Sequence, residues 1–309
     1  MMAAPSKRAI IMPLRHVSIY VISLLLSLSS WAYPSIQDEN GTFTLPSEPK
    51  RIVVLELSFV DALAAVGLSP IGIADDNDPN NLLPEVKAKL KPWTSLGMRS
   101  QPSMERIAEL QPDLIIADFQ RHAAAYDNLS RIAPTLLLKS RGESYLDSLA
   151  SAEKIGIIVN KNAEMQARLS EHKVIMASYR KAFEKMTSVG SVQFAIVSSR
   201  GMWLHGPDSY AGGVLNALGL ASPIPDDGNM PYLANSLELL LKVNPDWLLI
   251  GAYGDHTVLD DWRTNPLFQL LTAEKKSQLI NVSPELWSLN RGILAAEGIA
   301  KDLDRILSP

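Results

Sequence analysis

Residues 101–117 read QPSMERIAELQPDLIIA, and residues 234–250 read ANSLELLLKVNPDWLLI. At a constant offset of 133 positions the two segments share four residues, which pair as Ser103/Ser236, Glu105/Glu238, Pro112/Pro245 and Asp113/Asp246. Each segment is typical of a short amphipathic helix with a serine at its start, followed by a Pro-Asp turn and an apolar strand. Because a 133-residue period is far too long for a solenoid, the repeat predicts two lobes of related build.

Short apolar strands alternate with helices around each copy of the repeat. The predicted strands are Arg51–Leu55, Pro70–Ala74, Leu114–Ala117, Thr135–Leu138, Gln193–Val197 and Trp247–Ile250. The predicted helices are Ser58–Val66, Ser103–Leu110, Ala211–Leu218 and Gly292–Ile306. Continuous apolar strands that alternate with helices are typical of a parallel sheet covered on both faces. We therefore predict an α/β fold with two Rossmann-like lobes, each built on a parallel sheet.

The two predicted lobes are joined by a segment, residues 162–185, that contains neither Gly nor Pro. Its composition predicts one helix of about 24 residues, roughly 36 Å long at 1.5 Å per residue. A single long helix between lobes predicts limited hinge motion. We expect a signal peptide over residues 1–32, an N-terminal lobe over 33–160, the connecting helix over 161–186 and a C-terminal lobe over 187–309.

The first 32 residues have the order of charge, apolar run and small residues that is typical of a secretory signal. Lys7, Arg8 and Arg15 precede an apolar run from Val17 to Leu28, and no acidic residue comes before Asp38. A run of about 12 residues is too short for the roughly 20 that a bilayer requires. The sequence therefore predicts export, with cleavage near Ala32, rather than a membrane anchor.

Composition narrows the classes of partner. Loss of the signal would change the formal net charge from −4 to −7, because it removes three basic residues and no acidic one. An acidic chain is a poor match for nucleic acid or an anionic membrane surface. The chain contains no cysteine, which excludes disulfides, thiolate metal sites and a lipidated Cys. We expect a monomer that is free in a Gram-negative periplasm.

The sequence does not contain the motifs of the common enzyme classes. It has no GxSxG, P-loop, GxGxxG or HExxH pattern, and we therefore predict that it is not an enzyme. The acidic run DDNDPNN over residues 75–81 is typical of a turn. His122, His205 and His256 lack the close spacing of a zinc site, so we predict neither a protein-bound metal nor a resident cofactor.

Candidate ligand-binding residues follow the predicted strands, because open parallel sheets bind ligands beyond the carboxyl ends of their strands. They are Leu57, Arg99, Arg121, Arg141, Arg200, Trp203, Tyr253, Trp287 and Arg291. Arginine recurs in this set although the chain is acidic overall, and a guanidinium meets a carboxylate with two parallel hydrogen bonds. The pattern predicts an anionic, carboxylate-rich ligand. A single tyrosine, Tyr253, is more typical of stacking or hydrogen bonding than of iron ligation.

Several segments resemble the siderophore- and cobalamin-binding class of substrate-binding proteins, whose lobes are joined by a helix. These segments read RIVVLELSFVDALAAVGLSPIGIADDND from residue 51, PSMERIAELQPDLIIAD from residue 102 and SLELLLKVNPDWLLI from residue 236. The likeness to the citrate-binding members of this class extends to LPEVKAKLKPW (83–93), RIAPTLLLKSR (131–141), EMQARLSEHK (164–173) and WSLNRGILAAEGIA (287–300).

The resemblance implies a periplasmic protein that captures ferric citrate and delivers it to an inner-membrane ABC permease. It implies that the iron is held by citrate, that Arg99 and Trp287 line the cleft, and that Arg200 and Arg291 match arginines of the citrate-binding members. It also implies that Glu105 and Glu238, the acids of the repeat, dock on the permease. Another siderophore of hydroxamate or carboxylate type, haem or cobalamin remains the alternative ligand.

Overall fold

The computed structural model describes Met1 and residues 33–186, 189–225 and 231–308. Residues 2–32, and with them most of the predicted signal peptide and its cleavage position, lie outside the described residues. None of the helices formed by the described residues is both long and apolar enough to span a bilayer.

The first half of the chain is built on a five-stranded parallel sheet. The strands of the first half are β1 (Ser35–Asp38), β2 (Gly41–Thr44), β3 (Ile52–Val54), β4 (Gly72–Ile73), β5 (Thr94–Ser95), β6 (Gly97–Met98), β7 (Gln101–Pro102), β8 (Leu114–Asp118) and β9 (Thr135–Leu138). Its helices are α1 (Leu57–Ala65), α2 (Pro84–Lys87), α3 (Met104–Glu109), α4 (Phe119–His122), α5 (Tyr126–Ile132) and α6 (Tyr145–Ile158). The strand order is β5-β4-β3-β8-β9, and every neighbouring pair is parallel. The pairs β1-β2 and β6-β7 form separate antiparallel ribbons.

A helix of 22 residues, α7 (Asn162–Phe183), leads to the second half. The second half contains the strands β10 (Val192–Ser198), β11 (Gly201–His205), β12 (Tyr232–Asn235), β13 (Trp247–Ala252) and β14 (Leu279–Val282). Its helices are α8 (Tyr210–Ala217), α9 (Leu237–Val243), α10 (Val258–Trp262), α11 (Thr272–Lys275) and α12 (Ile293–Leu307). Short 3₁₀ turns lie at Pro79–Asn81, Ala123–Ala125 and Pro266–Leu270, and a π-helical turn lies at Glu285–Leu289.

The predicted α/β fold is confirmed, but the second sheet is mixed rather than parallel. Its order is β12-β11-β10-β13-β14. Strands β10, β13 and β14 are parallel, whereas β11 and β12 run antiparallel to their neighbours. The reason is the two-residue connection Ser199-Arg200, across which Ser198 pairs with Gly201. A turn this short joins only antiparallel strands, since a parallel pair needs a long crossover.

The 133-residue repeat is visible in the backbone as well as in the sequence. Gln111 and Asn244, which are equivalent, both have left-handed φ angles, of 45° and 43°. Asp113 accepts hydrogen bonds from the backbone N–H groups of Lys50 and Arg51 just before β3, and Asp246 accepts one from Ser191 just before β10. In both halves the Pro-Asp turn therefore fixes the start of one central strand against the next.

Helix α12 begins against a residue from the first half of the chain. The backbone N–H groups of Leu294 and Ala295 donate to the buried carboxylate of Asp61 in α1, at 3.1 and 3.0 Å. Gly292 lies so close to Asp61 that a Cβ atom there would be only 2.2 Å from the carboxyl carbon. The Tyr210 hydroxyl of α8 donates to the Gly292 carbonyl at 2.5 Å. Side chains of α1 and α8 thus fix the first turn of α12.

A second buried network joins α6, α7 and α12. The Tyr145 hydroxyl lies 2.5 Å from His172 Nε2, and His172 Nδ1 lies 2.8 Å from Glu297. Arg168 donates to the other oxygen of Glu297 at 2.6 Å.

Residues from Tyr33 onward pack as one compact unit, and the predicted lobe boundaries at 160/161 and 186/187 stay predictions.

Candidate functional site

Polar side chains crowd the carboxyl ends of the first parallel sheet. Glu56 follows β3, Asp75 and Asp76 follow β4, Asp118 ends β8 and Ser140 follows β9. All except Asp76 are buried. Ligands of open parallel sheets bind at this edge, and so many buried polar groups there cost free energy unless they are paired. This edge is the candidate binding site.

Glu56 is the centre of the site. Its carboxylate has no exposed surface and lies within 3.4 Å of Arg99 Nη1, 3.0 Å of Arg121 Nε and 3.0 Å of Arg291 Nη2. Burial by itself would raise the pKa of Glu56, but the three guanidinium groups lower it below its usual value. We call Arg99, Arg121 and Arg291 the arginine cluster. A single ionised carboxylate draws these three residues together.

Arg99 is committed to protein partners. Its Nε and Nη2 both donate to Asp76 Oδ2, at 2.8 and 2.7 Å, and its backbone N–H donates to Asp76 Oδ1. His122 Nε2 lies 2.7 Å from the Arg99 carbonyl, while His122 Nδ1 accepts the Asp118 N–H. With Glu56 next to Nη1, the Arg99 guanidinium has little capacity left for a ligand.

Arg291 reaches from the second half of the chain into the first. It donates through Nε to the Ser140 carbonyl at 3.2 Å, and through Nη2 to the Ser140 hydroxyl and to Glu56. Its Nη1 donates to the Ser288 carbonyl at 2.8 Å. Arg291 therefore joins the two halves through Nε and Nη2 at the edge of the first sheet, and Nη1 holds it to its own half.

Arg121 and Tyr253 have buried polar atoms without hydrogen bonds to the described residues. The 3.0 Å contact between Arg121 Nε and Glu56 does not have hydrogen-bond geometry, and 15 % of the Arg121 side chain is exposed. Tyr253 directly follows β13, and its buried hydroxyl has no hydrogen-bond partner among the described residues. Burial raises the pKa of Tyr253, so its hydroxyl is a neutral donor. Buried groups of this kind are normally satisfied by water or ligand.

Arg141 and Arg200 are exposed, and neither guanidinium forms an ion pair or hydrogen bond with the part of the chain that the structure describes. Arg141 follows β9 in the first half, and Arg200 lies in the turn between β10 and β11. Of the five predicted arginines, two are thus held by the protein, and Arg121, Arg141 and Arg200 retain donors.

Trp287 and Leu57 differ from the prediction. Both side chains are fully buried. Trp287 lies in the π-helical turn, packs on Phe194 with ring centres 5.1 Å apart, and donates its indole N–H to Asp302 at 2.9 Å. Leu57 begins α1 and packs in the core. Neither side chain offers a surface to a ligand, because each points into the hydrophobic core.

Strands β10, β11 and β12 of the second sheet carry a group of aromatic side chains. Trp203 is half-buried in β11. His205 lies between Phe194 and Tyr232, with ring centres 4.7 and 4.8 Å away. Burial, helped by the charge of Arg291, lowers the pKa of His205 to about 3. The imidazole is therefore neutral, and its Nδ1 has no partner among the described residues.

Glu105 and Glu238 lie at equivalent exposed positions in the first turns of α3 and α9. Ser103 and Ser236 cap these helices by accepting the N–H groups of Arg106 and Leu239, at 3.2 and 3.3 Å. Each helix leads into a parallel strand, so its start lies towards the carboxyl end of that strand. The two acids therefore lie at the same ends of the sheets as the candidate site.

The three histidines are in separate surroundings. His122 supports Arg99, His205 lies in the aromatic group of the second sheet, and the exposed His256 lies near Asp260 and Asp261. Within residues 33–186, 189–225 and 231–308, no three His, Asp or Glu side chains are grouped so that they could hold a metal ion.

The sequence indicates Lys139, with Ser140 and Arg141, as a candidate directly after a predicted strand, but it does not indicate Glu143. Glu143 is buried behind Arg141, and its carboxyl group has no hydrogen-bond partner in the described chain. Lys139 follows β9 directly and lies 3.6 Å from Asp147. The position of Lys139 after a strand was a usable signal. Glu143 follows a glycine turn, and nothing in the sequence around it distinguishes it from a surface acid.

Comparison with known proteins gives a match over most of the chain. The model of a family described as periplasmic binding protein matches residues 52–286. The chain is 51 % identical over 284 residues to the Fe(3+) dicitrate-binding periplasmic protein FecB of Escherichia coli K12, covering 92 % of this chain and 93 % of that one. It is 38 % identical over 268 residues to the Fe(3+)-citrate-binding protein YfmC of Bacillus subtilis, covering 87 % and 84 %.

Solved structures share the fold at lower sequence identity. Staphylococcus aureus SirA, complexed with staphyloferrin B, has a TM-score of 0.77 at 24 % identity and covers 89 % of this chain and 98 % of its own. The petrobactin-binding protein YclQ of Bacillus subtilis has a TM-score of 0.75 at 24 % identity, covering 89 % and 99 %.

Proposed function

This chain belongs to the periplasmic binding protein family, and we propose that it captures ferric citrate for an ABC importer. The observation that carries the proposal is the 51 % identity, over nearly the full length of both chains, to a protein named for binding Fe(3+) dicitrate. The ligand is expected at the carboxyl edges of the two sheets, and the iron is expected to keep citrate as its ligand.

The chemistry of the edge supports a polycarboxylate ligand. Citrate around a ferric ion leaves carboxylate oxygens that face outward, and arginine binds such groups through paired, charge-assisted hydrogen bonds. Arg121, Arg141 and Arg200 retain donors for this purpose, and the neutral Tyr253 hydroxyl adds another. Arg99 and Arg291 are assigned a different role from the one that the sequence predicts, because they hold Glu56 and the two halves in position.

Delivery is proposed to use Glu105 and Glu238. They are exposed, lie one in each half, and begin helices that start at the ligand-binding ends of the sheets. Hydrogen bonds from its own backbone N–H and from Ser236 lower the pKa of Glu238, so it carries a full negative charge. A pair of carboxylates at a fixed separation suits two basic pockets of a permease in the inner membrane. We place the mature monomer in the periplasm, after cleavage near Ala32.

Titration of tryptophan fluorescence tests the ligand. Trp203, half-buried at the edge of the second sheet, is the expected reporter. We expect a saturable response to ferric citrate and none to ferrichrome, a neutral hydroxamate chelate, with iron-free citrate as the comparison for the role of iron. A protein that responds to ferrichrome but not to ferric citrate would contradict the assignment.

Docking is tested by the double variant Glu105→Ala with Glu238→Ala. We expect ferric citrate binding to be unchanged, because the two acids lie outside the arginine cluster. We expect import to be lost, because the variant lacks both carboxylates that are proposed to contact the permease. Glu153→Ala with Glu274→Ala, in α6 and α11, is the matched control and should import normally. Normal import of ferric citrate with the Glu105→Ala, Glu238→Ala variant would contradict the docking role.

A further inference from the structure

A short segment of the second half, residues 290–295, is hydrogen-bonded to four separate places in the first half. We call this segment the clasp. It runs from the end of the π-helical turn into the first turn of α12. Its acceptors in the first half are the Asn81 carbonyl, the Glu56 carboxylate, the carbonyl and hydroxyl of Ser140 and the Asp61 carboxylate. Two of these residues, Glu56 and Ser140, belong to the candidate site, so the clasp connects the second half to the ligand-binding edge.

Tyr210 of α8 fixes the clasp from the side of the second half. Tyr210 is only 1 % exposed, and its hydroxyl donates to the Gly292 carbonyl at 2.5 Å. On the other side of the clasp, Gly292 lies against Asp61, where a Cβ atom would have no room. The backbone directly after Arg291 is therefore held between a hydroxyl of the second half and a carboxylate of the first.

Arg291 carries this position to Glu56. Its Nη2 donates to the Ser140 hydroxyl and to Glu56 Oε2, both at 3.0 Å, and its Nε donates to the Ser140 carbonyl at 3.2 Å. Ser140 is fully buried, so its hydroxyl serves the protein and cannot meet a ligand. Because Oε2 of Glu56 is bound in this way, its other oxygen, Oε1, faces Arg121.

Arg121 is the member of the arginine cluster whose place depends most on Glu56. Its Nε lies 3.0 Å from Glu56 Oε1 without hydrogen-bond geometry, and its guanidinium makes no hydrogen bond to the described residues. The attraction is therefore Coulombic and sets no direction. A guanidinium binds a carboxylate best through two parallel hydrogen bonds, and a binding group must be held within about 0.5 Å of its productive position. A shift of Glu56 would thus be passed on to the ligand contact.

We propose that Tyr210 and Ser140 are positioning residues for ligand binding. They hold the clasp and Arg291 in place, Arg291 fixes Glu56, and Glu56 places the Arg121 guanidinium for a carboxylate of the ligand. This proposal rests on the proposed function, in which Arg121 contacts ferric citrate. Neither positioning residue touches the ligand, because both are buried.

Removal of the Tyr210 hydroxyl tests the first step. In Tyr210→Phe the Gly292 peptide is free to shift, and calorimetric titration should show a dissociation constant for ferric citrate about three- to tenfold higher than that of the unchanged protein. Thr135→Val is the matched control. Thr135 is also 1 % exposed and donates its hydroxyl to a carbonyl, that of Ala133 at 3.0 Å, but it starts β9 at the end of the sheet opposite the site. The control should lower the urea midpoint by a similar amount and bind ferric citrate normally.

Pairs of substitutions test the route of the effect. If Tyr210 acts through Arg121, Tyr210→Phe should change the dissociation constant by less than about twofold in an Arg121→Gln background. In an Arg200→Gln background it should keep its full effect, because Arg200 lies in the turn between β10 and β11 and forms no hydrogen bond with the clasp. A general loss of packing would lower affinity in both backgrounds alike, so this comparison separates positioning from a structural role.

Ser140→Ala is a second variant that does not depend on Tyr210→Phe folding. It removes the hydroxyl that accepts from Arg291 Nη2, and it should weaken ferric citrate binding by about three- to tenfold, again only when Arg121 is present. Normal binding by either folded variant, or a loss that persists in the Arg121→Gln background, would overturn the proposal while leaving ferric citrate binding intact. If the unchanged protein binds no ferric citrate, the proposed function fails, and this proposal fails with it.

Discussion

The carboxyl edges of the two sheets have the same backbone origin and opposite chemistry. In the first half, Glu56 lies among three arginines, and further carboxylates surround them. In the second half, the aromatic side chains of Trp203 and Tyr253 and the neutral, buried His205 take the place of such a cluster, and the exposed Arg200 lies in the turn after β10. The repeated scaffold therefore offers an equivalent position in each half, and the side chains at each position determine what it can recognise. The first half holds the buried charge cluster, to which Arg291 of the second half contributes, and the second half adds aromatic surface together with the exposed Arg200.

Removal of Glu56 is expected to have the largest effect. Glu56→Ala leaves three buried or half-buried guanidinium groups without their shared counter-charge, and breaking a buried ion pair costs about 3–5 kcal/mol. Urea denaturation should show a decrease of that size in the free energy of unfolding. The exposed Glu85→Ala should stay within about 0.5 kcal/mol of the unchanged protein. A loss under about 1 kcal/mol for Glu56→Ala would contradict the view that charge organises the first edge.

Ligand affinity should separate the two edges next. Arg121→Gln removes a charged donor from the first edge and should weaken ferric citrate binding by about 10- to 100-fold, whereas Tyr253→Phe removes a neutral donor from the second edge and should weaken it by about 2- to 10-fold. The salt dependence of affinity should fall in Arg121→Gln and persist in Tyr253→Phe. Equal effects of the two substitutions would remove the distinction between the edges.

The stability of the protein at acid pH tests whether His205 is buried in its neutral form. His205 has a folded-state pKa of about 3, below the ordinary unfolded value of about 6.5. The unfolded chain therefore binds a proton that the folded protein refuses, and stability is lost as pH falls below about 6.5. From about pH 7 to about pH 5 the unchanged protein should lose about 2 kcal/mol more than His205→Gln. Urea midpoints at the two pH values measure this, and parallel losses would show that His205 is not buried neutral.

The smallest expected change in the free energy of unfolding comes from the two helix N-caps, and it should be equal in the two halves. Ser103→Ala and Ser236→Ala each remove the N-cap of an equivalent helix, and each should cost about 1 kcal/mol. The two sites are in different halves, so the double variant should cost about the sum. Urea denaturation of the three variants gives the comparison. Unequal costs would show that the repeated helices are not equivalent in energy, although they are equivalent in backbone geometry.

The sequence predicts the scaffold better than the site. Apolar runs such as Thr135–Leu138 are strands at the predicted residues, and the long helix ends at Phe183, close to its predicted end. Strands β11 and β12 were not predicted. Strand β11 pairs with its neighbour β10 across the turn Ser199-Arg200, a local signal that the prediction did not use, whereas β12 pairs with β11 from a distant part of the chain. Pairing over such a distance leaves no local pattern of residues.

The site shows the same limit. Arg99, Arg121 and Arg291 could be selected because each lies at or near the end of a predicted element. That they converge on Glu56 depends on separations of 43, 65 and 235 positions along the chain, which only the folded arrangement brings together. Trp287 was predicted to face the ligand. An aromatic residue in an irregular segment can point either way, and the π-helical turn directs this one into the core.

The contact between Asp61 and the start of α12 joins the beginning and the end of the described chain. The final helix of the chain receives its N-terminal hydrogen-bond acceptor from the first long helix. In a fragment of either half, water would have to replace these hydrogen bonds, at the N–H groups of α12 or at the carboxylate of Asp61. A cut between the halves would thus remove two hydrogen bonds that join the first helix of the chain to the last one.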